Sequence, residues 1–344
     1  MIGDTTGQEF RIDGRRPRAA TRRGGDYLEP RELDALVRLD DARSVGSVLI
    51  TTIPLAVTLV LAAVLWTWWA VLLALPIIAA QQHAMFVLVH ESAHYRLFTS
   101  RRLNDWAGRA LAALVGISMC TYRIVHRLHH NHLNTEVDPD IALNGGYPRG
   151  KAYLLKKLAV DLSGLTAWKT YKYFFGAPSA NAETQAAQRP LDDTAPALRN
   201  AALSDRRMVV AVQVLLPLAI LVFAGNAGLT KYAVLWLLPA LTLLQATLRL
   251  RAIAEHGAPP ATDSPFTAAR TNLVNPLLRF FMFPHHVGYH IEHHLYPAVP
   301  HYRLPMLHEL LRSRGALDHA EVRSFDETWA RVYAEPRPRS LLGA

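Results

Sequence analysis

Three short histidine clusters carry the chemistry open to this chain. The segments HESAH (90–94), HRLHH (126–130) and HIEHH (290–294) hold eight of its sixteen histidines. In a helix, positions three and four apart share a face, so each cluster aims two or three imidazoles the same way. The second and third clusters have identical spacing. At the histidine frequency of this chain that pattern is expected about 0.03 times, and two copies on the order of one time in a thousand. A lone histidine is usually a core or surface residue; eight in this arrangement read as a metal site. His90, His94, His126, His129, His130, His290, His293 and His294 are the candidate ligands.

Eight nitrogens exceed the needs of one ion, so the count suggests two. A single zinc takes three or four ligands and would leave most of the clusters idle. Imidazole suits zinc, copper, iron and nickel alike. The Glu and Glu-x-x-His pattern of soluble di-iron bundles is absent. A zinc-dependent membrane hydrolase is the competing chemistry, with Glu91 and Glu292 as its acid/base candidates. HESAH has the H-E-x-x-H spacing, but that scheme finds no use for the other clusters. Cys120 stands alone, which excludes a disulfide scaffold, a thiolate-held iron–sulfur cluster and a cysteine-rich zinc site.

The elements that position these residues are apolar. Between Arg43 and Glu91 there is no formal charge, a run long enough for two bilayer crossings at about 20 residues each. Trp66, Trp68 and Trp69 mark its turn, since Trp favours the membrane interface. Further uncharged runs cover Met208–Thr230 and Tyr232–Leu248, with a turn signal at Gly225–Gly228. Spans are therefore expected at about 45–66, 68–89, 208–225 and 231–249. Pro54, Pro76, Pro217 and Pro239 fall inside them, which membrane helices tolerate where neighbours re-satisfy the backbone. The expected fold is an all-α integral membrane protein: four transmembrane helices in two hairpins, with a cytoplasmic helical cap carrying the histidine clusters. The alternative, a soluble protein with two very apolar core hairpins, fits poorly with runs of this length.

The chain carries 37 Lys+Arg against 28 Asp+Glu. Lys231 apart, the basic residues lie outside the hairpin turns, among them Arg96, Arg101, Arg102, Arg123, Arg127, Lys156 and Lys157. The positive-inside rule then places both termini and the central segment in the cytoplasm. The expected organisation is a basic N-terminal arm (1–43), a membrane domain (44–312) and a C-terminal tail (313–344). The first 25 residues lack the apolar stretch of a signal peptide and read as a flexible arm, drawn to anionic lipid rather than to nucleic acid. Trp106–Tyr122 and Tyr153–Phe175 read as segments lying on the membrane. Residues 177–205 read as a loop.

In their order and spacing, HESAH, HRLHH and HIEHH resemble the membrane fatty acid desaturase superfamily, which includes acyl-lipid desaturases, carotenoid hydroxylases and ketolases, and more distant alkane hydroxylases. The resemblance spans roughly residues 45–312. It takes in HLYP (294–297), Pro300, Leu304 and Pro305, and the extension HHNHLNTEVDPD (129–140), similar to bacterial members. It implies a non-haem di-iron enzyme that uses O2, in an inner membrane with the site on the cytoplasmic side. It also implies a ninth ligand, His256 of AEHG (254–257). Of the remaining histidines, His285 and His286 read as supporting or structural and His83 as a polar contact in the bundle; His132, His301, His308 and His319 are given no role. Asp138 and Asp140 are candidates for orienting ligand imidazoles through the outer nitrogen.

The implied reaction is desaturation of a fatty acyl chain drawn from the membrane. The alternative on the same site is hydroxylation or ketolation of a carotenoid, sterol or acyl lipid. A metal transporter is a third reading, but transporters place ligands near the midplane, whereas these clusters flank the spans. No G-x-G-x-x-G fingerprint, haem-binding extension or cysteine set is present. Electrons must then come from a separate donor, such as a ferredoxin or rubredoxin with its reductase, attracted by the basic face.

Overall fold

The computed structural model describes residues 27–135, 138–175, 179–180, 187–188 and 196–334. Helix α1 (Pro30–Val37) opens with proline in its first turn, and Glu32 accepts from the Glu29 N–H at 2.8 Å. Asp40 caps α2 (Asp41–Leu65), accepting from Ala42 and Arg43 N–H. Trp66 then takes a left-handed turn (φ 40°) into α3 (Trp68–Ala93). The two helices pack through Leu55, Ala62, Ala74 and Ile78. Their outer faces expose Ile50, Val60, Val64, Leu72 and Leu73, with Val64 at 75%. So many large apolar side chains facing outward are stable against lipid and not against water. From Ile78 to Ala93, by contrast, every residue of α3 is buried.

The expected surface segment Trp106–Tyr122 is two helices, α4 (Arg101–Leu114) and α5 (Met119–Asn131), bent by 100°. Gly116 makes the bend possible: its φ is 77°, and a Cβ there would meet the Tyr171 ring at 3.2 Å. Ser118 caps α5, and Asp205 accepts from the Ser118 hydroxyl at 2.9 Å and the Cys120 N–H at 2.8 Å. After the short α6 (Ile141–Asn144), the second expected surface segment also divides, into α7 (Gly150–Leu162) and α8 (Ala167–Phe174). Leu155, Leu162, Leu165 and Trp168 face outward, and Asp161 pairs with Arg249. Two-residue strands β1 (Ser179–Ala180) and β2 (Ala187–Gln188) pair antiparallel.

The last apolar region is one helical run, α9 (Pro196–Tyr232), a π-turn (Ala233–Leu237), α10 (Leu238–Leu241) and α11 (Leu243–His256). Where sequence suggested a loop as far as 205, the helix already begins at Pro196. Where it suggested a turn of several residues, only Gly225 leaves helical geometry (φ 63°, ψ −165°). Asn226–Lys231 stay helical, and Lys231 reaches back to the Ala63 carbonyl at 2.7 Å. A straight run from Asp205 to His256 would be about 75 Å long, yet Asp205 holds the start of α5 and the His256 ring lies 4.8 Å from that of His129, near its end. The chain therefore folds back at Gly225.

The remaining elements cap the bundle. They are α12 (Pro265–Ala268), β3 (Thr271–Leu273), α13 (Pro276–Met282), α14 (His290–Leu295), α15 (Leu304–Ser313), β4 (Val322–Ser324) and α16 (Phe325–Val332). Strands β3 and β4 pair in parallel. Arg270 and Glu321, both buried, flank that pair with nitrogen and oxygen 3.5 Å apart. Leu28 and Leu36 bury against Leu304, Leu307 and Leu311. The part of the basic N-terminal segment that carries α1 is thus packed on the cap, and Trp329 of α16, in the segment read as a tail, packs with Ile253, Met282 and Phe283. The first 26 residues, which include the whole stretch read as a flexible arm, and residues 335–344 lie outside the described residues.

Candidate metal centre

Four helix ends meet at one place. The buried end of α3 brings His90 and, as its C-cap, His94. The last turns of α5 bring His126, His129 and His130, α11 ends on His256, and α14 carries His290, His293 and His294. The nine imidazoles sort into two groups, His90, His94, His126, His130 and His293, and His129, His256, His290 and His294. Within each group one nitrogen per ring lies within 4.8 Å of all the others. All nine candidates named from sequence and resemblance are brought together here. The groups adjoin: the rings of His130 and His294, one from each, stack at 4.3 Å.

The facing atoms are Nε2. His90 and His130 each approach His293 at 3.0 Å, and His130 also approaches His126 at 3.0 Å. In the other group His290 lies 2.7 Å from His256 and 3.2 Å from His294. Nitrogens bound to one ion at about 2.1 Å and at right angles are about 3.0 Å apart. Two facing lone pairs at that distance repel unless a cation lies between them. His94 Nε2 is buried with no hydrogen-bond partner among the described residues, and an unsatisfied buried polar atom costs about 1–3 kcal/mol. The donor set fits two imidazole-binding cations.

The far side of the rings is supported. His129 Nδ1 donates to Asp138 at 2.8 Å, with Asp140 at 3.6 Å and Tyr173 donating to Asp140 at 2.7 Å. His90 Nδ1 lies 3.3 Å from Glu91, and His256 Nδ1 lies 3.2 Å from the Ala268 carbonyl. Such contacts fix the tautomer that points Nε2 at a metal. Burial pulls His290, His293 and His294 well below the usual histidine range, which keeps their lone pairs free. Burial works to raise Asp138, but the His129 hydrogen bond and charge and two backbone N–H donors outweigh it and hold the carboxyl low.

Sequence had offered Glu91 and Glu292 as acid/base groups, and the structure commits both elsewhere. Glu91 also accepts from the His301 backbone N–H at 3.0 Å. Glu292 accepts from His308 and from Thr271, each at 2.5 Å, tying α14 to α15 and β3. The hydrolase alternative thereby loses its candidate acid and base. His285 bonds Thr51 and His301 bonds Ser47, both at 2.8 Å; neither joins the nine, and nor do His83, His132, His286, His308 and His319. Sequence reasoning missed the support given by Glu91, Tyr173 and Asp205. Their partners are far along the chain, so only the acidic neighbour of His90 was a visible signal.

Apolar helices long enough to cross a bilayer, with histidine groups able to hold metal ions at their ends, fit an all-α integral membrane protein with a metal-binding centre. The sequence model of the fatty acid desaturase family matches residues 66–325, and the chain belongs to that family. It is therefore an oxidoreductase. Among curated proteins it is similar to the dihydrorhizobitoxine desaturase of Bradyrhizobium elkanii, 28% identical over 253 residues that cover 71% of this chain and 68% of that one.

Proposed function

We propose that this chain is an O2-dependent desaturase of a fatty acyl chain, with His90, His94, His126, His130 and His293 holding one iron and His129, His256, His290 and His294 a second. The observation that carries the reading is the division of nine buried or half-buried imidazoles into two converging groups. Two irons, when bound, supply the oxidising power that an unactivated C–H bond demands. The balance closes with two hydrogens from the substrate and two electrons and two protons from outside, reducing O2 to two waters. The chain's own residues do the rest. Glu91 and Asp138 orient imidazoles, Asp205 sets the start of α5, and the cap of α12–α16 excludes water.

Four membrane crossings follow if the two arms either side of Gly225 count separately, with both termini and the metal centre on the cytoplasmic side of a bacterial inner membrane. An acyl chain then enters sideways from the lipid. The electron donor is a separate protein, a ferredoxin or rubredoxin with its reductase. The name of the Bradyrhizobium relative, a desaturase, supports desaturation over the hydroxylase and ketolase alternative. Expression of the chain with and without His290→Ala, followed by mass spectrometry of total lipids, tests the reading. Products lacking two hydrogens, present only with the parent chain, support it; products gaining an oxygen, or no difference, overturn it.

A further inference from the structure

We propose that Glu255 is a tenth donor of the metal centre, giving the four-histidine ion an anionic oxygen, directly or through one water. The proposal rests on the two-ion reading above and adds a residue to it. The groups are unequal, five imidazoles against four. The carboxylates near them are not equivalent either. Glu91 and Asp138 meet His90 and His129 at Nδ1, behind the ring. Among the carboxylates of the described residues, Glu255 approaches the front: its Oε2 lies 3.7 Å from Nε2 of His290, the nitrogen that faces His256 and His294.

Glu255 precedes His256 on the last turn of α11 and is 2% exposed. Arg251, one turn earlier, holds Oε2 at 3.3 Å. Oε1 is buried and has no hydrogen-bond partner among the described residues. A buried carboxylate oxygen with nothing to accept is costly, because charge removed from water must be repaid by a partner. Nine neutral imidazoles bring no charge to offset two divalent cations, so a carboxylate beside them lowers the energy of both. It is not one of the four mutually close donors, so it completes their set from the side of His290. One ion is then all-imidazole and the other carries oxygen, and the two differ in electronic environment.

The test uses the full-length protein in detergent, loaded with 57Fe, and compares the parent with Glu255→Gln and Glu255→Ala. Iron per chain and Mössbauer spectra are read, with thermal melting to show that each variant is folded. The parent should show two distinct doublets. In Glu255→Gln one doublet should shift while the other stays, and in Glu255→Ala iron should fall from two towards one per chain. Variants that keep two irons and both parental doublets overturn the proposal, as does the loss of both irons together from a folded variant. A parent that binds no iron pair instead overturns the function proposed above.

Discussion

The two histidine groups are built from different materials. The five-histidine group draws only on the three clusters visible in sequence, and two of its members, His94 and His130, are partly exposed. The four-histidine group takes His129 from the second cluster and the two ends of the third, His290 and His294. Its fourth, His256, comes from the tip of a membrane helix, and its outer support is denser, with Asp138, Asp140 and Tyr173 all behind His129. One group thus has two half-exposed rings, and the other has two carboxylates behind a single ring. The difference teaches that a symmetric-looking sequence pattern produces two chemically distinct sites.

The largest effect expected is from the ligands that touch across the groups. His130→Ala and His294→Ala should each lower product formation more than about a hundred-fold, beyond the 10–100-fold typical of residues that only orient ligands. Lipid analysis of expressing cells would read this; equal product from either variant would break the pairing of the groups. Next come the supports. Glu91→Gln and Asp138→Asn should each weaken metal retention about 10–100-fold, measured by iron loss to a chelator. Each should act on its own ion, the first in the five-histidine group and the second in the four-histidine group. Smaller is Asp205→Ala, which leaves the Ser118 hydroxyl and Cys120 N–H at the head of α5 without their acceptor. It should cost about 1–3 kcal/mol of stability, seen as a lower melting temperature, and should affect the two groups alike because α5 supplies both.

Much of this centre was legible because metal ligation constrains spacing along a helix. The H-x-x-H-H segments at 126–130 and 290–294 show their shared face in one dimension. His256 was not legible that way, since it stands alone in its own segment; only the family resemblance pointed to it. Glu91 was visible as an acidic neighbour, but its role depends on His301, 210 positions away. The apolar runs announced membrane helices, while the break at Gly225 was confined to one residue and the bend at Gly116 was sharper than composition suggests, because it depends on Tyr171 packed alongside. Leu28 and Leu36 sit in a basic stretch whose charge hid their burial on the cap. The four-crossing topology and its sidedness rest on charge and length, and fluorescent or proteolytic mapping of the termini would sharpen them.

The central claim is that nine imidazoles form two metal sites of five and four ligands. Iron per chain in the purified protein tests it most directly, alongside His94→Ala, which removes a ligand unique to the first group, and His256→Ala, which removes one unique to the second. The account predicts two irons in the parent and preferential loss of a different one, by Mössbauer signature, in each variant. One iron in the parent, or the same signature lost from both variants, would contradict it.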